Sequence, residues 1–416
     1  MSNYNKLFIP FILVGMLLSG FYGCSGDSQE TPIDNDNSGT TSGKSPAKIA
    51  PYRADLIEMA FEIASAIPLK PHVKDRSLSQ EKVFEASMEL GLIDRAKDFA
   101  EGIDNWRKGV CYGELAVYYA EREQNEKAQE YLNQAEKQIM NATEEWRQDR
   151  IRNRIAKTLS ILGKDEEAEA FSTDLVDSET GKLHGYHAAQ ADVSDFEKHI
   201  QTLDELIAQD NFDIMRNALE AYANLYDRFY SDTERRALVE EKIKASWSKL
   251  PFMLRIQLMA DLGNTALSHG DSQKAMEMVK SAQALLDEKQ WTAEHKIPLM
   301  SRVATLRFHA GDADGARDQL DDAMARFQAD REKIANVFRA ETLLPVIEAY
   351  ADIDDRAAAI AIAKRTVEEA VENPNSRPRA EDLSAICVAL ARSSIEPDAV
   401  LMDRLQELQR GLGQPW

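Results

Sequence analysis

No proline occurs between Pro71 and Pro251. Proline both fixes φ and removes a backbone donor, so it collects in turns and at strand edges; a β-rich or loop-rich chain of this length would carry several in such a stretch. With Gly 19 and Pro 13 in 416 residues, the chain has few of the residues that punctuate sheets, while its 44% hydrophobic content suffices for a sizeable core. These features predict continuous helix, broken only by short turns.

Within that stretch the apolar residues fall at helical spacing. From Trp106 onward, Tyr112, Leu115, Ala116 and Tyr119 share one face of a first helix. After the turn Gln124-Asn125-Glu126, Ala128, Leu132 and Ala135 share one face of a second. The small Ala116 and Ala128 allow two helices to approach closely, and the large residues fill the space between hairpins. The pattern returns forty residues later as Ile155, Ala156 and Leu159, followed by Gly163 and Ala168, and even the Trp106-Arg107 pair recurs as Trp146-Arg147. Two further units carry a Gly-Asp turn and then an alanine, Gly270-Asp271 with Ala275 and Gly311-Asp312 with Ala316. A helix stop, an N-cap and a close-packing alanine explain that turn. Weaker units are expected around Ala96, Ala237, Ala358 or Ala359, and Ala399. From Asp174 to Glu205 the register is lost, and an atypical hairpin is expected there.

The signature positions of the Trp106 unit resemble those of the tetratricopeptide repeat (TPR): large, Leu, small and Tyr on the first helix, then Ala, large and Ala on the second. The spacing of 40 or 41 residues between markers is longer than the 34 of that family, so the resemblance is to a divergent TPR-like array. It implies an all-α fold, a right-handed superhelical solenoid of antiparallel helix pairs, spanning residues 51–416. In that family the concave groove, lined by first helices, binds a peptide or protein. Carried over by position, the groove residues would be Arg150, Asn153, Lys157, Gln257, Asn264, Ser301 and Thr305.

The N-terminus reads as an export signal. Lys6 is the only charged residue in 1–23, and the apolar run Leu7 to Leu18 is too short, and interrupted by Pro10, for a membrane span of roughly 20 residues. Gly23-Cys24 resembles the bacterial lipoprotein signal, which implies cleavage before Cys24, attachment of lipid such as palmitate at Cys24, and a place at the outer membrane facing the periplasm. The alternative is cleavage after Gly26 and release. Residues 24–50 read as a flexible polar linker. Two fragments in it imitate ligand loops, Asp34 to Gly39 a calcium loop and Gly39 to Ser45 a phosphate loop, and each lacks parts its chemistry requires.

Charge narrows the function classes. Lys+Arg 50 against Asp+Glu 71 leaves −21, with bases and acids interspersed, which argues against a nucleic-acid partner. His184 and His187 have the spacing of metal ligands on a helix, Asp312 and Asp314 resemble a metal loop, and Asp352, Asp354 and Asp355 form an acidic turn; capping and solvation explain each more simply. Cys111 and Cys387 sit within apolar helix segments as core residues. No nucleophile elbow, glycine-rich strand-to-helix turn or zincin motif occurs, so no enzyme activity, cofactor or metal is expected. The sequence reading is therefore an exported, membrane-anchored scaffold or adaptor that binds a protein. A glycan- or small-ligand-binding lipoprotein and a non-catalytic subunit of an envelope enzyme complex are the alternatives.

Overall fold

The structure, a computed structural model, describes residues 49–416 apart from Asp210. The expected signal peptide, Cys24, and both ligand-loop fragments lie outside the described residues. Among the described residues the chain forms helices joined by turns and no strand.

In chain order the helices are α1 (Pro51–Ala66), α2 (Leu69–Glu89), α3 (Ile93–Gly102), α4 (Arg107–Ala120), α5 (Asn125–Ile139), α6 (Glu145–Ile161), α7 (Asp165–Ser172), α8 (Asp177–Gln190), α9 (Phe196–Ile207) and α10 (Phe212–Arg228). They continue as α11 (Thr233–Ser246), α12 (Phe252–Ser268), α13 (Ser272–Glu288), α14 (Ala293–His309), α15 (Ala313–Asp330), α16 (Asn336–Asp352), α17 (Arg356–Val371), α18 (Ser376–Arg392) and α19 (Ala399–Arg410). Each even-numbered helix from α2 to α18 packs on the next even-numbered one, and each except α8 is backed by the odd-numbered helix that follows it, α9 packing on α10 instead. The even helices are therefore an inner layer and the odd ones an outer layer, which is the α-solenoid expected from the repeats. The chain is a helical-repeat protein.

The repeat is most regular where each inner helix stops. Gly91, Gly163, Gly270 and Gly311 hold φ between 71° and 102°, the left-handed conformation that ends a helix and returns its last carbonyls to the following amides. Glu123, Asp354 and Ser394 hold the same place at φ 58°, 61° and 55° without being glycine. One turn geometry thus recurs at seven of the described hairpins. The marker alanines follow it: Ala96, Ala128, Ala168, Ala275, Ala316 and Ala359 are buried. The weaker units around Ala237 and Ala399 form as α10–α11 and α18–α19, but those two alanines are exposed, and Val239 with Ile243 and Leu401 with Leu405 supply the packing instead. The segment after Asp174 is irregular as expected: α9, which buries Phe196, Ile200, Leu203 and Ile207, packs on α10 rather than pairing with α8.

The two ends of the array meet. α18 packs on α2, and α1 lies against both, taking the outer position behind α18. Leu56, Ile57, Ala60 and Ile63 of α1 and Leu383, Ile386, Cys387 and Leu390 of α18 belong to one buried apolar cluster. Ser384 donates to the carbonyl of Ala60 at 3.0 Å, and Arg53 donates through Nε to the carbonyl of Ala391 at 2.7 Å. Arg392 grips Glu89 with two bonds, 2.6 and 2.8 Å. The solenoid is thus closed into a ring, a feature the sequence reading did not contain.

Closure gives the ring two unlike rims. Where the outer helices begin, Asp232, Asp271, Asp312, Asp355 and Asp398 cap α11, α13, α15, α17 and α19, each accepting a backbone N–H of the first turn. Where the inner helices begin, side-chain caps among the described residues are confined to α10, from Asn211, and to Asn105, which accepts the Arg107 N–H at the start of α4. That second rim instead shows exposed apolar side chains, among them Leu69, Val73, Trp146 and Phe212.

Candidate functional site: the lumen face of the ring

Nine inner helices, counted among the described residues, stand side by side around the ring. At about 9 Å between neighbours their axes lie on a circle of roughly 13 Å radius, and removing a helix radius of about 5 Å leaves a lumen on the order of 15 Å across. The residues facing it recur every three or four positions on each inner helix, as on α12 with Gln257, Asp261 and Asn264.

Charged side chains dominate this face and bond across neighbouring helices. On the arc from α4 to α8, Arg154 donates to Glu114 at 2.7 Å and to Glu179 at 3.2 Å, and Lys182 donates to Glu179 at 2.6 Å. Gly113 permits this approach: a Cβ there would stand 2.5 Å from the Cβ of Arg154. Gly181 does the same for the next pair, since a Cβ would meet that of Asn217 at 2.3 Å. Burial alone would push the carboxyls of Glu114 and Glu179 up, but Arg154 outweighs it, helped at Glu114 by Lys157 and at Glu179 by Lys182, and both are held below the usual range. Burial likewise works against the Arg154 cation, and Glu114 with Glu179 more than compensates, so its pKa is raised.

The arc from α16 through α18 to α2 behaves in the opposite sense. Burial pushes the Glu348 carboxyl up to about 7, with Asp352 and Glu89 adding repulsion and Arg392 and Arg302 only partly offsetting it. Asp382 is raised well above the carboxylate range by burial and then by Glu381 and Glu341, and Glu381 itself is raised by burial. Asp352 is raised by burial against the opposing effect of His309 and a hydrogen bond from Thr305. One side of the lumen therefore carries ionised, mutually paired groups, and the other carries carboxyls that retain protons more readily.

The seven expected groove residues separate into two sets. Lys157, Gln257, Asn264 and Thr305 are half-buried on the lumen side, with Lys157 3.7 Å from Glu121 and its ammonium 4.5 Å from the Tyr186 ring centroid. Asn153 and Ser301 are buried between helices: Asn153 donates to the carbonyl of Glu179 at 2.7 Å, and Ser301 donates to the carbonyl of Ile297 at 3.0 Å. Arg150 is also drawn inward. It donates to buried Glu81 at 3.2 Å beside Arg107, which bonds the same carboxylate, and lies 5.2 Å from the Trp106 ring centroid. The sequence reading missed Glu114, Arg154, Glu179 and Glu348; Arg154, four residues after Arg150 and three before Lys157, had a visible helical spacing, whereas the other three lie on helices for which no groove residue was chosen.

The other candidates resolve into structural roles. Asp312 caps α15 by accepting the Gly315 N–H at 3.0 Å, and also accepts from Arg307 at 3.1 Å. Asp355 caps α17, while Asp354 occupies the left-handed turn position. His184 and His187 lie on α8 with pKa values lowered by burial, and among the described residues no three His, Cys, Asp or Glu side chains converge as a metal site. Cys111 and Cys387 are buried free thiols; burial pushes Cys387 to about 12 and Cys111 well above the thiol range.

No family model matches the chain, and no curated protein matches it. Among solved structures it is similar to one described as a circular tandem repeat protein with novel repeat topology and enhanced subunit contact surfaces. Identity is 13% and the TM-score 0.29, with 86% of this chain and 94% of that one covered.

Proposed function

We propose that this chain is an exported lipoprotein, anchored through Cys24, whose TPR-like ring is a scaffold that receives a segment of a partner protein in its lumen at the bacterial cell envelope. The observation that carries the reading is the placement of Lys157, Gln257, Asn264 and Thr305 on inner helices as half-buried polar side chains around one enclosed face. Such a face offers donors and acceptors from several helices at once to an extended chain, the recognition mode of stacked helical hairpins. The rigid pairs around Arg154 and Arg392 hold the geometry ready, which lowers the ordering cost of binding.

Two measurements test it. Cells grown with labelled palmitate should incorporate label into the wild-type chain and not into Cys24→Ala; equal labelling, or none in either, removes the anchor. Proteins that co-purify from the envelope should be lost from an Asn264→Trp, Thr305→Trp variant, which fills the lumen, while the helical content and melting temperature hold. An unchanged set of co-purifying proteins would exclude the lumen as the binding face.

A further inference from the structure

We propose that the rim where the inner helices begin is an interface with a second copy of this chain, so that two rings stack with these rims together. The argument rests on the distribution of exposed apolar side chains over the two rims. Met140 is 88% exposed, Trp146 44%, Phe212 44%, Phe252 39%, Val337 47% and Phe338 46%. All six belong to the first turn of an inner helix or to the end of the outer helix just before one. Among the described residues the opposite rim shows only Val193 and Val400 at comparable size and exposure.

Apolar area selects the occupant. At about 150–250 Å² for a whole aromatic side chain, the exposed parts of these six amount to about 500 Å² of apolar surface. A standard interface covers about 800 Å² per partner, of which somewhat more than half is apolar, so the rim carries about what one stable contact requires. Charge on this rim is acidic on one arc and of mixed sign on the other. Exposed Glu144, Glu145, Asp174, Asp177 and Asp213 stand at the starts of α6, α8 and α10, while near the starts of α2, α12, α14, α16 and α18 exposed Lys70, Lys249 and Lys333 alternate with exposed Glu288, Glu332 and Glu372. A copy turned over about a two-fold axis presents the same six side chains to those of the first and can set its acidic arc against the arc of mixed sign, as an isologous contact requires.

The test is photocrosslinking in cells that make the full chain. With p-benzoylphenylalanine incorporated at position 338, and in a separate chain at position 140, irradiation should give a species of twice the chain mass whose peptides come from this chain alone. The same residue at position 193 or 400 should give none. Phe252→Ser with Phe338→Ser, read by the probe at position 140, should lower the yield about tenfold, the effect of about 1.4 kcal/mol of lost contact. Absence of the doubled species from 338 and 140, its equal formation from 193, an unchanged yield in the double variant, or crosslinks to phospholipid or a different protein would each overturn the proposal.

Discussion

Two seams complete the ring, and they are built differently. Where α18 meets α1 and α2, buried Leu56, Ile57, Leu383 and Ile386 lie in one apolar cluster that runs on through α8 to α17. Where α6 meets α8, no apolar cluster crosses among the described residues: Ile151 and Ile155 belong to a separate group from α2 to α7, and Ala188 belongs to the larger one. Polar contacts bridge this gap instead. Buried Asp149 accepts the Val176 N–H at 2.9 Å, Asn153 donates to the Glu179 carbonyl, and Arg154 bonds the Glu179 carboxylate. Apolar packing is non-directional and tolerant of small shifts, whereas buried polar contacts stabilise only when every partner is in place. The closing seam can therefore hold ends brought together from distant parts of the chain, and the α6–α8 seam is where the ring is most sensitive to a single lost group.

The largest expected effect comes from breaking the apolar seam. Ile57→Asp would bury an unpaired carboxylate at a position of 0% exposure, costing about 4 kcal/mol or more, and should detach α1 from α18. Urea unfolding would show the loss, and proteolysis should cut between α1 and α2 first; a change under about 1 kcal/mol would mean the ends are not held by this cluster.

Glu179→Gln should come next. It removes the charge that Arg154 and Lys182 share in a nearly closed site, and breaking such an ion pair from one side costs about 3 kcal/mol. Hydrogen exchange should rise in α8 while α1 and α18 keep their protection. Uniform loss of protection around the ring would show that the two seams are one cooperative unit. Because the Glu179 pKa is depressed, its contribution is present above the ordinary glutamate pKa and is lost as pH falls through the folded value. Acidification below about pH 4.5 should therefore loosen α8 before the closing seam.

These differences bear on what a sequence of this kind reveals. Helices and hairpins were legible because spacing at i+3 and i+4 is local, and Gly163, Gly270 and Gly311 mark the turn by residue type. Asp354 and Ser394 adopt the same left-handed turn with no signal in composition, so those units looked weak, whereas the unit turning at Glu123 was legible from its packing residues alone. Ring closure left no local trace, since Ser384 and Ala60 are 324 residues apart. The lumen face was half legible. Residues seven apart, such as Gln257 and Asn264, return to within about 20° on a helix, but Asn153 lies about 60° around from Arg150. On a ring each inner helix shows the lumen only a narrow stripe, and that rotation carries Asn153 into the interface with α8.

That placement can be checked by a smaller effect. Asn153→Ala leaves the buried Glu179 carbonyl without its donor and should cost about 1–2 kcal/mol. Lys157→Ala, on the lumen side, should change stability by less than about 0.5 kcal/mol. Equal costs would mean that the two residues share an environment.

The smallest expected effect has the opposite sign and the opposite pH dependence. The Glu348 carboxyl is pushed to about 7, above its unfolded value, so the folded ring holds a proton that the unfolded chain releases. Stability from this group is intact below about pH 4.5 and declines as pH rises toward 7, the reverse of Glu179. Glu348→Gln keeps the shape and removes the ionisation, so at pH 8 it should stabilise the protein by about 1 kcal/mol, or raise Tm by about 1–2 °C, and at pH 4.5 it should do nothing. Melting curves at the two pH values compare the arcs directly. A variant less stable than wild type at pH 8 would mean that Arg392 and Arg302 hold the carboxylate in its charged form, and that the lumen is ionised all the way round.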